Sequence, residues 1–352
     1  MKPKIIVVIG ARPQFIKHFP FEKASLGILE LKTIHTGQHY DRNMSDIFFE
    51  QLKMSKPDYT LNIGSSSHGA QTGKMIIEIE EIVEKEKPNG MVVFGDTNST
   101  LAGALVAAKL HLPLFHIESG LRSFNKEMPE EINRVLTDHI SNLLFIPSQI
   151  AFKNLLREGI NDGIHDVGDI MKDLVKLVVN NGILKTSNEI TDDYYYITIH
   201  RPYNTDQKER LEGILEELNK LNKRAVMTLH PRTKNLCKKY DIDLKSFQNI
   251  EFIEPQSYFD NLNYLFNSQG LITDSGGMQK EAYWLKKKCV TIRKETEWVE
   301  TLEFNANKLV FENLSQIQEE LNIAPLKWDD TLYGNGNSAD RIVNSINRYL
   351  KH

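Results

Sequence analysis

The chain has 352 residues, 40% of them hydrophobic and 26% charged, and a formal net charge of -4 at pH 7. That length exceeds what one hydrophobic core usually supports, so two domains of similar size are expected, and the near balance of charge gives no reason to expect nucleic acid or an anionic membrane as partner. Two cysteines, Cys237 and Cys289, exclude a disulfide framework and offer no zinc spacing, a reducing cytoplasm fits, and the apolar run in MKPKIIVVIG is too short for a signal peptide or a membrane span.

KIIVVIG, an Arg-Pro turn and a helical stretch around Phe15 to Lys23 open an alternation of strand, loop and helix. It continues through KTIHTG, MVVFGD, PLFHIE and NLLFIP. Short β-branched runs separated by helical segments predict parallel α/β architecture. After a polar stretch around Asn180 to Asp193 the pattern restarts with YYYITIHR, RAVMTLHP, NIEFIE, GLITDSGG and KCVTIR, with helices such as KERLEGILEELNKL between them. The expected organisation is an N-terminal Rossmann-like domain over 1–170, a second over 190–335, and an amphipathic C-terminal helix within 336–352, where SADRIVNSINRYL repeats its apolar positions at helical spacing.

Open parallel sheets present ligand-handling groups at the carboxyl ends of their strands, and several candidates fall there. Gly10-Ala11-Arg12-Pro13 lacks GxGxxG, which disfavours a nicotinamide cofactor; Arg12 is placed to clamp a phosphate or carboxylate, with Lys17 one turn later. His35 and His39 have the spacing of a metal pair, but HTGQH reads as a loop and no metal is expected. Asp96, in GDTNST, is either an acid-base group or a helix cap. Glu118 directly follows apolar PLFHI and precedes Gly120, where a carboxylate is partly buried and tunable. Glu130 and Glu131 start a helix behind Pro129, and Arg134 is spaced for an ordinary pair with Glu130. His200 and His230 end two strands of the second half, suited to a leaving phosphate. In TDSGGMQKE, small residues between a strand and a helix direct backbone amides at one spot, a diphosphate cradle of Ser275, Gly276 and Gly277; Glu281, one turn on, is placed to accept from ribose hydroxyls. The alternative there is a plain turn with Ser275 as N-cap.

GARPQFIK, HTGQHYD, GDTNSTLAGAL, HIESGLRS, MPEEINRVLTDH, HRP, TDSGGMQKEA and RKETEWVE, in that order, resemble the non-hydrolysing UDP-N-acetylglucosamine 2-epimerase family over nearly the whole chain. The resemblance implies a GT-B fold of two Rossmann-like domains with UDP in the cleft, the C-terminal helix crossing back to the first domain, a cytoplasmic homodimer, and no cofactor. It implies interconversion of UDP-N-acetylglucosamine and UDP-N-acetylmannosamine by elimination of UDP to a 2-acetamidoglucal and re-addition. By motif, Asp96, Glu118 and Glu130 are then the acid-base residues and His200 lies near the leaving phosphate. Arg12, Lys17, His39, Arg134, His230, Ser275, Gly276, Gly277, Glu281 and Arg293 become UDP-sugar contacts. The familiar TERPE segment is TEWVE here and the QHREM-like stretch is QHYDRNM. Both variants resemble the branch with epimerases for UDP-2,3-diacetamido-2,3-dideoxyglucuronate, for which Arg42, Arg122 or Arg293 would meet the extra carboxylate. A GT-B glycosyltransferase and a hydrolysing epimerase are the rival activities.

Overall fold

Two runs of apolar strands make two separate all-parallel sheets in the computed structural model, which describes residues 2–37, 54–64, 66–184 and 193–351. The chain divides into unit 1, Met1–Leu177 with Thr331–His352, and unit 2, Val178–Asp330.

The unit 1 sheet contains β1 (Lys4–Ile9), β2 (Glu30–His35), β3 (Tyr59–Thr60), β4 (Gly90–Phe94), β5 (Leu114–Ile117), β6 (Leu143–Ile146) and β7 (Ile164–Asp166), in the order β3-β2-β1-β4-β5-β6-β7. Every residue from Ile5 to Ile9 is fully buried, because helices cover both faces of a parallel sheet. Strand alternation divides the core: Ile5, Val7 and Ile9 pack with Phe15, Phe21, Ile342 and Ile346, while Ile6 and Val8 pack with Met75, Ile79 and Ala104 on the other face. The helix Ser338–Tyr349 thus completes unit 1 through an apolar stripe of Ile342, Val343 and Ile346. Its start is held from another helix: Asp173 accepts from Ser338 N at 3.0 Å and Ala339 N at 2.7 Å. Gly168 lets the returning chain in, since a Cβ there would lie 2.6 Å from the Tyr333 carbonyl oxygen.

The unit 2 sheet contains β8 (Tyr194–Thr198), β9 (Arg224–Thr228), β10 (Ile250–Ile253), β11 (Gly270–Thr273), β12 (Lys288–Thr291) and β13 (Asn307–Leu309), in the order β10-β9-β8-β11-β12-β13. Ile197, Met227, Ile272 and Val290 face Ile214, Leu215 and Leu218; Tyr196, Val226, Leu271 and Cys289 face Leu265 and Ala282. In each unit the chain winds outward in one direction from its first strand and then returns to wind in the other. The order therefore reverses between β1 and β4, and between β8 and β11. Such a reversal leaves a crevice at the carboxyl ends of those strands, where ligands bind in Rossmann-like sheets.

Candidate active site

At the β1 end, two loop amides are taken by a side chain of the following helix. Gln14 accepts from Gly10 N at 2.8 Å and Ala11 N at 3.0 Å, and donates to the Phe94 carbonyl at 2.8 Å. A Gln at the third helical position reaching back to the helix start is a capping-box pattern, the one local signal that could have announced it. Arg12 begins the helix Arg12–Ser25; its side chain and His39 lie outside the described residues. Lys17 is buried and paired with the Glu118 carboxylate. Burial alone would lower the Lys17 pKa, but the charge and hydrogen bond of Glu118, with Asp169 and Asp96 nearby, outweigh it and raise it above the ordinary lysine value.

β4 and β5 deliver the two acid-base candidates. Asp96 is not the helix cap: Thr97 occupies that position and its hydroxyl accepts from Thr100 N. The Asp96 side chain is left one-third exposed and bonded to Arg134. Glu118 follows β5 in a left-handed conformation, φ 69°, with its side chain 13% exposed. Gly95 sits beneath it, where a Cβ would come 3.3 Å from a Glu118 oxygen and 3.7 Å from Lys17 Nζ.

The helix Pro129–Ile140 divides its acidic pair. Glu131, 4% exposed, accepts from Ser123 N and Oγ at 2.9 Å each, from Phe124 N at 2.8 Å and from Arg134 at 3.2 Å. Burial would raise its pKa, yet these donors hold it below 4.5. Glu130 is exposed and makes no ion pair among the described residues. Arg134 therefore pairs with Glu131 and Asp96 instead of the Glu130 that spacing suggested. Arg122 is also committed, bonding Asp138 at 2.7 Å and Glu158 at 2.7 and 2.6 Å, so it has no guanidinium edge to offer a further carboxylate.

On unit 2, Asp274 organises the strand ends. Fully buried, it accepts from His200 N at 3.0 Å, Arg201 N at 2.9 Å and Asn204 Nδ2 at 3.1 Å, and lies 3.1 Å from His200 Nδ1. The His200 ring stacks on His230 with centroids 5.2 Å apart. Ser275 stands at the N-cap of helix Gly276–Trp284 without a side-chain capping bond. Space around Gly277 is open, whereas a Cβ on Gly276 would meet a Glu297 oxygen at 2.4 Å. Glu281 is buried in the second turn of that helix. Arg293 donates through Nη2 to Glu297 at 2.9 Å, and burial pressure on Glu297 is outweighed by the charges of Arg293 and Arg201, which keep its pKa low. Arg293 Nη1 and Arg201 Nε are buried with no acceptor among the described residues. Unsatisfied buried N–H groups are costly; Arg293 is paired with Glu297, which borders Gly276, and the Arg201 backbone bonds Asp274, so both residues are tied to the loop before a helix N-terminus suited to an anion. At the TEWVE variant, Lys280 Nζ lies 3.6 Å from the Trp298 ring centroid, a cation–π contact. Sequence reasoning missed Gln14, Glu131, Asp274 and Arg201 as parts of these edges.

The family model described as UDP-N-acetylglucosamine 2-epimerase matches residues 23–347. The chain is 48% identical to a Methanococcus maripaludis UDP-N-acetylglucosamine 2-epimerase homolog, covering 97% of this chain and 98% of the relative. It is 44% identical to the Pseudomonas aeruginosa UDP-2,3-diacetamido-2,3-dideoxy-D-glucuronate 2-epimerase over the same shares. Its structure is similar to that of the Methanocaldococcus jannaschii UDP-GlcNAc 2-epimerase in complex with UDP-GlcNAc and UDP, with a TM-score of 0.87, 45% identity, and coverage of 99% of this chain and 100% of that one.

Proposed function

The chain belongs to the UDP-N-acetylglucosamine 2-epimerase family, and from that membership we propose that it interconverts UDP-N-acetylglucosamine and UDP-N-acetylmannosamine. Unit 2 holds the nucleotide. The observation that carries this is the β11–helix loop with Arg293 Nη1 and Arg201 Nε beside it, buried donors that a diphosphate would satisfy. Ser275, Gly276 and Gly277 supply the cradle, Glu281 the ribose contact, and His200, oriented by Asp274, the group at the departing phosphate, with His230 stacked behind it.

Unit 1 supplies the proton transfers. A carboxylate removes the C2 proton as the C1–O bond breaks, its electrons leaving with UDP and a C1–C2 double bond forming in a 2-acetamidoglucal. UDP oxygen then returns to C1 while a proton is delivered to the other face of C2. Asp96, Glu118 and Glu130 are the acid-base residues, and Arg12, Lys17, His39 and Arg134 the remaining contacts. Glu118 is supported as one of the reacting pair by its partial burial and its adjacent Lys17 ammonium, a setting in which protonation is tunable. A cytoplasmic homodimer completes the proposal, in keeping with two buried free thiols; among the described residues no helix is long and apolar enough to cross a membrane.

Incubation with UDP-N-acetylglucosamine alone tests this reading. A second UDP-sugar should form with no acceptor present and no free sugar released; an acceptor requirement would indicate a glycosyltransferase, and release of UDP with free N-acetylmannosamine a hydrolysing epimerase. The 44% identity to the diacetamido-uronate epimerase favours one second reading, in which Arg293 meets a C6 carboxylate. A kcat/KM tenfold higher for the uronate, about 1.4 kcal/mol, would select it.

A further inference from the structure

Left-handed backbone at a non-glycine residue persists only where its surroundings over-determine it. For Glu118 the surroundings converge on one buried carboxylate. Asp138, on the last turn of helix Pro129–Ile140, receives His116 Nδ1 at 2.7 Å on one oxygen, and Gly120 N at 3.0 Å and Arg122 at 2.7 Å on the other. It therefore grips the chain two residues before Glu118 and again two residues after. Between those grips, the N–H groups of Glu118 and Ser119 both donate to the Phe145 carbonyl at 3.1 Å.

The grip extends to the other carboxylate. His116 is fully buried and directs Nε2 to the Gly95 carbonyl at 2.8 Å, one residue before Asp96. Each ring nitrogen thus faces an oxygen. From the same helix as Asp138, Asn133 donates to the Asp96 carbonyl at 2.9 Å and Arg134 to its side chain. None of this is required to hold the sheet, because β5 pairs with β4 and β6 through its backbone. Packed apolar side chains in place of the whole buried cluster would hold the fold at least as well, since buried ion pairs seldom add net stability over hydrophobic groups of similar volume. What the polar cluster adds is geometry.

We propose that Asp138 and His116 are positioning residues that fix Glu118 and the Gly95–Asp96 turn relative to each other, acting on proton transfer through those carboxylates without touching the sugar. The proposal rests on the reading of Glu118 and Asp96 as acid-base residues. Asp138→Ala in the full chain is expected to lower kcat on UDP-N-acetylglucosamine by about a hundredfold, the scale of a reacting group misplaced by about 1 Å, while KM and UDP affinity change by no more than about twofold. Asp138→Asn should recover most of the loss: its carbonyl still accepts from Gly120 and Arg122, and its amide keeps a polar contact with His116 Nδ1.

A double variant separates positioning from general weakening. Because Asp138 acts on proton transfer largely by placing Glu118, adding Asp138→Ala to Glu118→Gln should cost far less than the product of the two single losses, the remainder coming through Asp96. Multiplying losses, a change in KM alone, or an Asp138→Ala enzyme within about threefold of the parent kcat would each overturn the proposal. Should Asp138→Ala not fold, His116→Gln, which keeps an amide toward Gly95 and gives up only Asp138, goes through the same cycle under the same criteria. Parental turnover by Glu118→Gln alone would instead show that the acid-base reading had failed, and the proposal with it.

Discussion

The carboxyl edges of the two sheets share one strand order but treat charge in opposite ways. On unit 1 the cations described at that edge are matched internally: Lys17 with Glu118, Arg134 with Asp96 and Glu131, Arg122 with Asp138 and Glu158. On unit 2 the Ser275 hydroxyl makes no capping bond, Gly277 borders open space, and Arg293 and Arg201 each bury an N–H without an acceptor among the described residues. Topology alone does not decide what a switch point does. Saturated pairs set the protonation and orientation of groups that move protons, whereas unsatisfied donors are suited to holding an anionic ligand.

That contrast is open to attack by substitution. The largest effect is expected from Glu118→Gln, which should lower kcat by about a hundredfold or more, roughly 2.7 kcal/mol, with UDP affinity preserved; steady-state kinetics beside calorimetry would show whether the loss is confined to chemistry. On unit 2 the pattern should invert. Glu281→Ala is expected to weaken UDP binding by on the order of 1.5–3 kcal/mol, the scale of hydrogen bonds to a charged group, and to raise KM more than it lowers kcat. Arg293→Gln should raise the UDP Kd about tenfold, near 1.4 kcal/mol. A fall in kcat with unaltered Kd at either position would erase the distinction between the edges.

The smallest effect is a pH dependence of stability. Glu131 has its pKa held below 4.5 in the folded protein, so its contribution is present at neutral pH and is lost as pH falls through the folded value. The Tm difference between the parent and Glu131→Gln should be full at pH 7 and close on acidification below about 4.5. A gap that stays constant with pH would mean that Glu131 acts by shape alone.

The longer strands were legible in the sequence because a strand covered on both faces must be apolar throughout, as IIVVI and MVVF are. β3, with two residues, and β7 and β13, with three each, were not, since runs so short carry no pattern. Asp96 and Glu118 were legible as strand-end carboxylates. Which of Glu130 and Glu131 turns inward was not: neighbouring helical residues point about 100° apart, and only the packed helix fixes that rotation. Asp138 gave no local signal, being 22 residues from the His116 it holds. Asp274 was in view within TDSGG, but its role depends on β8 lying beside β11, a pairing of segments that are distant in sequence.

Proton NMR of UDP-N-acetylglucosamine incubated with the enzyme in deuterated water, without added nicotinamide or metal, tests the central claim most directly. Deprotonation at C2 by a side chain and return of a proton from the solvent-exchanged enzyme should replace the C2 hydrogen with deuterium in both UDP-sugars as they equilibrate. Epimerisation that retains the original C2 hydrogen, or that begins only when a nicotinamide is supplied, would contradict it.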